Sequence, residues 1–336
     1  MTSLTFGNSD LASNAVESEV LSNLIEGTES PDVLLGTPGD DFISGLGGDD
    51  TILGTAGSDF IDGGEGIDTL DFSSFSSKIT LLTQGFFNNG SSSGSQINSI
   101  EEIIGAEGKA NSINASSGTG GVSLDVNLEA NTLVAENIPG LGSQTFGIEN
   151  FVDVIGSVNA DSIIGDGARN RLRGFKGDDL IAGNGGNDII NGNAGNDTLI
   201  GTDSLSRGVG ERDVLRGGSE VDFFILGDEL GSFYQNSDGR DRALIQDFTF
   251  GELIQLGSNE TYNLQTDSSG FRVFLTTGSA NDLIADVRVV TGSIPSAAQA
   301  RSIVPIEPID NLLNAVPEGE FTVSSGENIG GIFVVA

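Results

Sequence analysis

Along much of the chain a single aliphatic residue recurs at every ninth position, set between polar, glycine-rich stretches. Leu34, Ile43, Ile52, Ile61 and Leu70 keep that spacing, and Ile163, Leu172, Ile181, Ile190 and Leu199 repeat it. This is neither the 3.6-residue period of a helix nor the alternation of a half-buried strand. Other residues hold phase with it. With Gly27, Gly36, Gly45, Gly54 and Gly63 in slot one, slot six holds Asp32, Asp41, Asp50, Asp59 and Asp68, and the aliphatic residue takes slot eight. Slot four holds Gly39, Gly48, Gly57 and Gly66, with Ser30 in the first repeat. A second run starts repeats at Gly156, Gly165, Gly174, Gly183 and Gly192, with Asp161, Asn170, Asp179, Asp188 and Asp197 in slot six and Gly177, Gly186 and Gly195 in slot four. After "GTDSLSR" (201–207) the beat resumes at Gly208 and Gly217, carrying Asp213 and Asp222.

Glycine in slots one and four admits backbone angles closed to other residues, so the first six residues of a repeat are expected to form a tight turn. The last three are expected to be extended, with slot eight pointing inward. Successive turns then fall on opposite sides, and two repeats complete one coil of a flattened solenoid. One coil buries little; stacking builds the core. The expected fold class is all-β: a parallel β-roll, or β-solenoid, made of two nonapeptide arrays, 27–71 and 156–225, the second with an insertion at 201–207.

The rest of the chain reads as strands around those arrays. Residues 1–26 form an N-terminal lead-in. The intervening β segment, 72–155, alternates apolar and polar residues in "KITLLT", "VSLDVNL" and "NTLVAE". Gly63 and Gly156 are not a multiple of nine apart, so the arrays are not expected to share one continuous register. "SIEEIIGAEGKANSI" and "GIENFVDVIGSVNADSI" read as a duplicated lead-in, with Asn111 near the aspartate slot of the first copy. Over 226–290, "ALIQDFTFGELIQL", "FRVFLTT" and "DLIADVRVV" predict a C-terminal β cap over the last coil. Residues 291–336 are punctuated by Pro295, Pro305, Pro308 and Pro317 and end in "GGIFVVA", which reads either as an export signal or as a last strand.

Charge changes the picture. Forty-nine acidic residues against fourteen basic ones give a formal charge of −35. Nucleic acid and anionic membranes are therefore not expected partners, and the compact state repels itself unless cations neutralise it. Histidine and cysteine are both absent. That removes disulfides, the usual zinc sites and a Ser-His-Asp triad. No run approaches the ~20 apolar residues of a membrane span, and "MTSLTFGNSDLASNAVESEV" lacks the basic start and apolar stretch of a Sec-type signal. Stacked coils would align the sixth-slot aspartates in columns, which like charge makes untenable without counter-ions. Calcium suits such a gap, being a hard cation that takes six to eight oxygens from carboxylates and turn carbonyls, whereas magnesium demands tighter octahedral geometry.

The repeats resemble GGxGxDxUx, the hallmark of RTX, or haemolysin-type, calcium-binding repeats, most closely in "GLGGDDTIL" and "GNAGNDTLI". The block after the second array is similar to the C-terminal β region attached to RTX arrays in cyanobacterial proteins. The resemblance implies calcium held between alternate turns by sixth-slot aspartates and glycine-turn carbonyls. Carried over residue by residue, the implied metal ligands in the first array are Asp32, Gly36, Gly39, Asp41, Gly45, Gly48, Asp50, Gly54, Gly57, Asp59, Gly63 and Asp68. In the second they are Asp161, Gly174, Gly177, Asp179, Gly183, Gly186, Asp188, Gly192, Gly195, Asp197 and Asp213. About three ions are expected in the first array and about two to three in the second. "GDGARNRLR" departs from the pattern, with Ala168 and Asn170 in slots four and six; Arg169, Arg171, Arg173 and Lys176 are expected to stand in for the metal there.

The function expected is that of a secreted, extracellular calcium-binding protein without catalysis of its own, exported by a type I machinery. The alternatives are a polysaccharide-active solenoid enzyme, a lyase or epimerase using the same basic cluster, and a cell-surface adhesin. Other features are weaker. "GSSSG" (90–94) matches GxSxG but lacks a histidine base, and "NSDGRD" (236–241) lacks the ligand spacing of an EF-hand. Thr28, Thr37 and Thr55 form a slot-two row, as an ice-binding face would, but Leu46 and Gly64 interrupt it.

Overall fold

The computed structural model describes residues 23–82, 86–88, 95–118, 121–138, 142–235, 240–249, 251–258, 260, 262–277, 280–290 and 332–334. The "GSSSG" stretch, residues 236–239, the lead-in before 23 and the tail other than 332–334 lie outside them. Within the described residues there is no helix.

The nine-residue spacing becomes strand pairing between every second repeat. Asn23–Glu26, Asp41–Ser44 and Phe60–Asp62 lie side by side and parallel, with Ile25, Ile43 and Ile61 opposite one another. Val33–Leu35, Thr51–Leu53 and Thr69–Asp71 do the same through Leu34, Ile52 and Leu70. Alternate repeats thus feed alternate sheets. In the second array Phe151–Ile155, Arg171–Arg173, Ile189–Ala194 and Arg212–Ser219 continue the first sheet. Ser162–Ile164, Leu180–Ala182, Thr198–Ile200 and Phe223–Ile225 continue the second. The result is an all-β parallel roll of a fifteen-stranded and a thirteen-stranded sheet.

Slot eight supplies the core between the sheets. Ile43, Ile52, Ile61, Leu70, Ile163, Leu172, Ile181, Ile190 and Leu199 are all buried, and Leu34 nearly so. In the larger sheet the flanking slots can face outward, as where exposed Arg171 and Arg173 flank buried Leu172, whereas in the smaller sheet of the second array slot nine is buried as well, at Ile164, Ala182, Ile200 and Ile225. One buried aliphatic side chain contributes ~1.5–3 kcal/mol, whereas fixing nine residues costs roughly 9–18 kcal/mol of backbone entropy. Strand hydrogen bonds at ~1 kcal/mol each leave a single repeat unstable. Whatever fills the turns therefore matters to whether a coil persists.

The intervening segment does not interrupt the roll, although its length breaks the nine-residue phase. In the larger sheet Phe60–Asp62 pairs in parallel with Ser95–Asn98, which runs antiparallel through Phe86–Asn88 to Thr80–Leu82. Thr80–Leu82 then pairs in parallel with Asn111–Asn114. The smaller sheet makes the same manoeuvre from Glu102–Ile104 through Gly142–Glu149, Thr132–Ile138 and Ser123–Asn127 to Ser162–Ile164. Each sheet passes through one three-stranded antiparallel meander, in reverse spatial order, and recovers the parallel run. The two similar lead-ins deliver their first strands to opposite sheets, Glu102–Ile104 to the smaller and Phe151–Ile155 to the larger.

Beyond Ile225, "ALIQDFTFGELIQL" forms the two expected strands, Arg242–Phe248 in the larger sheet and Leu253–Gln255 in the smaller. The larger sheet ends through Ala280–Val289, Gly270–Thr277 and Tyr262–Asp267. Ile332–Val334 adds an antiparallel edge strand on Leu253–Gln255.

Candidate calcium-binding turns

The sixth-slot carboxylates are buried and tied into a ladder. Asp41, Asp50, Asp59, Asp68, Asp161, Asp179, Asp188, Asp197, Asp213 and Asp222 are all at most 5% exposed. One carboxylate oxygen of each except Asp41, which takes the Asn23 side-chain amide, accepts a backbone N–H one coil earlier. Asp50 Oδ1 takes Asp32 N (2.8 Å), Asp68 Oδ1 takes Asp50 N (2.8 Å), and Asp59 Oδ1 takes Asp41 N (3.1 Å). In the second array Asp179, Asp197 and Asp222 do the same for Asp161, Asp179 and Asp197. Asp188 Oδ1 accepts from Asn170 N, and Asp213 Oδ1 from Asp188 N. The columns expected from stacking are present, and half of each carboxylate is structural. A second ladder of opposite polarity runs through slot five, where Asp40, Asp49 and Asp178 accept from Ser58, Ile67 and Asn196 N–H. Sequence reasoning missed it, although acidic residues in slot five were its visible signal.

The other oxygen, Oδ2, divides the turns into two kinds according to slot two. Where slot two is Thr or Ser, it closes the turn. Thr28 N (2.6 Å) and Oγ1 (2.8 Å) donate to Asp32 Oδ2, and Thr37 N donates to Asp41 Oδ2 (2.6 Å) with its hydroxyl 2.9 Å from Oδ1. Ser157 donates through both N and Oγ to Asp161, whose Oδ1 also takes Leu124 N. Thr55 Oγ1 reaches Asp59 Oδ2 at 3.4 Å. These hydroxyls face inward onto carboxylates rather than forming an outer threonine row.

The other turns are open. Leu46, Gly64, Phe175, Asn184, Asn193 and Gly218 occupy slot two with positive φ, between 64° and 113°. The sixth-slot partners of those six are Asp50, Asp68, Asp179, Asp188, Asp197 and Asp222, and in each of them Oδ2 is buried without a hydrogen-bond partner. The correspondence is one to one. A left-handed slot two directs its N–H elsewhere; Phe175 N, for example, donates to Gly192 O (3.1 Å).

Slot one is glycine for lack of space rather than for dihedral freedom. No slot-one glycine of either array has positive φ, while slot-four Gly48, Gly57, Gly177, Gly186 and Gly195 do and Gly39 does not. A Cβ on Gly45 would collide with Asp50 Oδ2 and with Gly63 O of the next coil. At Gly183 the same atoms are Asp188 Oδ2 and Gly201 O, and at Gly192 they are Asp197 Oδ2 and Gly217 O. The open turns at Gly45, Gly63, Gly174, Gly183 and Gly192 thus bring an orphaned carboxylate oxygen and a main-chain carbonyl to one small space; the closed turns at Gly27 and Gly156 bring the same two groups together, but with the carboxylate already bonded by slot two. Gly36 and Gly54 differ: their surroundings are Thr55 with Asp41, and the ring of Phe72.

Burial is the main reason that Asp179, Asp188, Asp197 and Asp222 resist ionising. It pushes Asp179 and Asp188 up to about 9, Asp222 to about 8 and Asp197 to about 7. Neighbouring carboxylates add to this, as Asp161 does at Asp179. In closed turns the rise is smaller, to about 6 at Asp59 and Asp161. Like-charge repulsion, the reason inferred from the columns, is secondary to desolvation.

The donor set is of the kind that hard cations such as calcium take. It is all oxygen, anionic and carbonyl, without nitrogen or sulfur. Among the described residues no three acidic side chains converge on one point, so an ion here has single carboxylates and main-chain carbonyls to draw on. Where asparagine replaces aspartate, its amide donates to main-chain carbonyls. Asn170 Nδ2 donates to Val152 O (3.1 Å), and Asn111 Nδ2 donates to Ala106 O (2.8 Å) and Asn150 O (2.7 Å). The arginines expected to replace the metal beside Asn170 instead point outward from their strand.

The insertion lies inside a turn rather than before one. Gly183 N bonds Ile200 O, and Gly201 O lines the Gly183 space, so Gly201 takes slot one and Asp213 slot six, with the extra residues between them.

Comparison with protein-family models matches the RTX calcium-binding nonapeptide repeat in four copies, at residues 22–52, 35–70, 155–190 and 173–203. The chain therefore carries repeats of the RTX calcium-binding kind in both arrays, stacked as a parallel β-roll. Asp213 and Asp222 lie beyond the matched residues, yet the roll places them in slot six. A search of curated proteins gives no match. Among solved structures the chain is similar to the crystal structure of the extracellular lipase LipA from Serratia marcescens, at 16% identity and a TM-score of 0.23. That alignment covers 82% of this chain, which spans 41% of the lipase's length.

Proposed function

We propose that this is an extracellular calcium-binding protein whose roll is completed by ions in the six open turns, at Asp50, Asp68, Asp179, Asp188, Asp197 and Asp222, and that it has no catalysis of its own. The observation that carries this reading is the set of six buried, unpartnered Oδ2 atoms, each beside a left-handed slot two. An unsatisfied buried polar atom costs ~1–3 kcal/mol, more when charged. Six of them amount to roughly 6–18 kcal/mol, as much as the whole stability of an ordinary domain. A cation taken up in each turn removes that cost, so binding free energy becomes folding free energy.

Of the remaining predicted aspartate ligands, Asp32, Asp41, Asp59 and Asp161 serve the roll through hydrogen bonds from slot two, and Asp213 through one from Tyr234. Weak sites of the extracellular class, with dissociation constants of ~0.1–1 mM, would stay empty in a cytosol and fill outside the cell. Such a chain can be exported extended, which is consistent with type I secretion, and its strands beyond Ile225 then close the end of the roll. Circular dichroism at pH 8 tests the reading. The chain is expected to be largely unordered in chelator and rich in β structure in millimolar calcium, with about six ions bound by calorimetry. An unchanged spectrum would overturn it.

A further inference from the structure

Asp213 belongs to neither kind of turn. It is fully buried, and its Oδ1 holds Asp188 N–H like any other member of the ladder. Its slot two is Thr202, but that hydroxyl pairs with Glu211 (2.9 Å) and Ser206 (2.9 Å), not with Asp213. The partner of Asp213 Oδ2 comes from farther along the chain: the hydroxyl of Tyr234 donates to it at 2.6 Å. Tyr234 is fully buried, with φ +58°.

The phenol sits where the open turns leave their space. In five of those turns a Cβ on the slot-one glycine would collide with the carboxylate Oδ2 and a carbonyl of the next coil; at Gly201 it would collide with Asp213 Oδ2 and, in place of the carbonyl, with Tyr234 OH. The extra residues of the insertion hold the ring there. Arg207 O accepts Tyr234 N–H (2.7 Å), and Gly208 lies so close to the ring that a Cβ would strike it. The Arg207 guanidinium in turn grips the Gly227–Ser232 turn through Asp228 (2.9 Å) and Gly231 O (2.7 Å), and stacks over Phe233.

We propose that Tyr234 is a built-in substitute for calcium: its hydroxyl fills the cation position of the Asp213 turn, which takes no ion. The inference rests on the reading that open turns bind calcium. A donor O–H neutralises no charge, but it satisfies the orphaned oxygen without leaving the protein, so this turn is complete at any calcium concentration. The insertion thereby has a role, since a turn of ordinary length holds no room for the ring between Gly201 and Asp213.

The test is calcium stoichiometry on the full chain, by calorimetry and by metal analysis after dialysis, with folding in calcium checked by circular dichroism. Asp213→Asn can still accept Asp188 N–H and donate its amide to the phenol oxygen, so it is expected to fold and to bind as many ions as the parent. Asp188→Asn is expected to bind one fewer. Loss of an ion in Asp213→Asn overturns the substitution. An unchanged count in Asp188→Asn instead overturns the calcium reading of the open turns, a distinguishable failure. Should Asp213→Asn not fold, the Tyr262→Phe variant serves, because it leaves Tyr234 as the only tyrosine in a chain without tryptophan. A carboxylate acceptor quenches tyrosine emission, so calcium-loaded Tyr262→Phe is expected to emit less than free tyrosine. Emission equal to free tyrosine means that calcium has displaced the phenol, and overturns the proposal.

Discussion

At the scale of single residues, the choice between a closed and an open turn rests on slot two, a position that touches no ion. Threonine there brings a backbone N–H and a hydroxyl onto the sixth-slot carboxylate; a residue with positive φ brings neither. A β-branched side chain strongly disfavours the left-handed region. Phe175→Thr is therefore expected to close the turn of Asp179 while leaving every proposed ligand in place. Calorimetry should show about one ion fewer than the parent, and the metal-free chain should lose less structure in chelator, because one orphaned oxygen has gained donors. An unchanged ion count would mean that slot two does not govern occupancy. The threonines of slot two were plain in the sequence, and their regular spacing was the signal. Their meaning was not, because turn residue, ice-facing row and carboxylate cap share one spacing and differ only in where the hydroxyl points. Tyr234 was out of reach altogether: nothing in the sequence links it to an aspartate 21 residues earlier until the insertion is folded.

At the scale of the element, the slot-eight side chain of each three-residue repeat strand is buried, and its neighbours along the sheet are the same slot two repeats away. Ile181 lies between Ile163 and Leu199 in the smaller sheet, fully buried. Ile181→Ala should cost ~2–5 kcal/mol, since the flanking coils are pinned by their own ladders and cannot collapse into the void. Denaturant unfolding in saturating calcium measures this; a cost below ~1 kcal/mol would mean that the coils move independently. This level was the most legible, because the slot-eight residue and the pairing of alternate repeats both follow from a period of nine. The meanders were not legible. Apolar-polar alternation marked strands such as Ser123–Asn127 and Thr132–Ile138, but their reversed spatial order depends on which distant edge each one meets. The broken phase between the arrays suggested separate registers, whereas each sheet absorbs the mismatch in one antiparallel excursion and continues.

At the scale of the whole molecule, the proposed function makes proton and calcium competitors for the same oxygens, and the direction of the pH dependence follows. In the unfolded chain an aspartate ionises near 3.8; in the metal-free roll burial holds Asp197, Asp222, Asp179 and Asp188 at about 7, 8, 9 and 9. Between those limits the folded state binds more protons than the unfolded one, so stability falls as pH rises. The contribution of these groups is fully present below about pH 4 and is lost as pH passes through the range of about 7 to 9. The net charge of −35 pushes the same way, since self-repulsion grows as carboxylates ionise. Calcium in the proposed sites reverses the expected dependence, because a cation binds the ionised form and its affinity rises with pH. In chelator, therefore, β structure should be stronger at pH 5.5 than at pH 8.5; in millimolar calcium the difference should vanish or invert. Circular dichroism across that range with and without calcium reads both limbs. A metal-free chain more ordered at pH 8.5 than at pH 5.5 would show that the buried carboxylates are not what calcium relieves, whatever the number of ions bound.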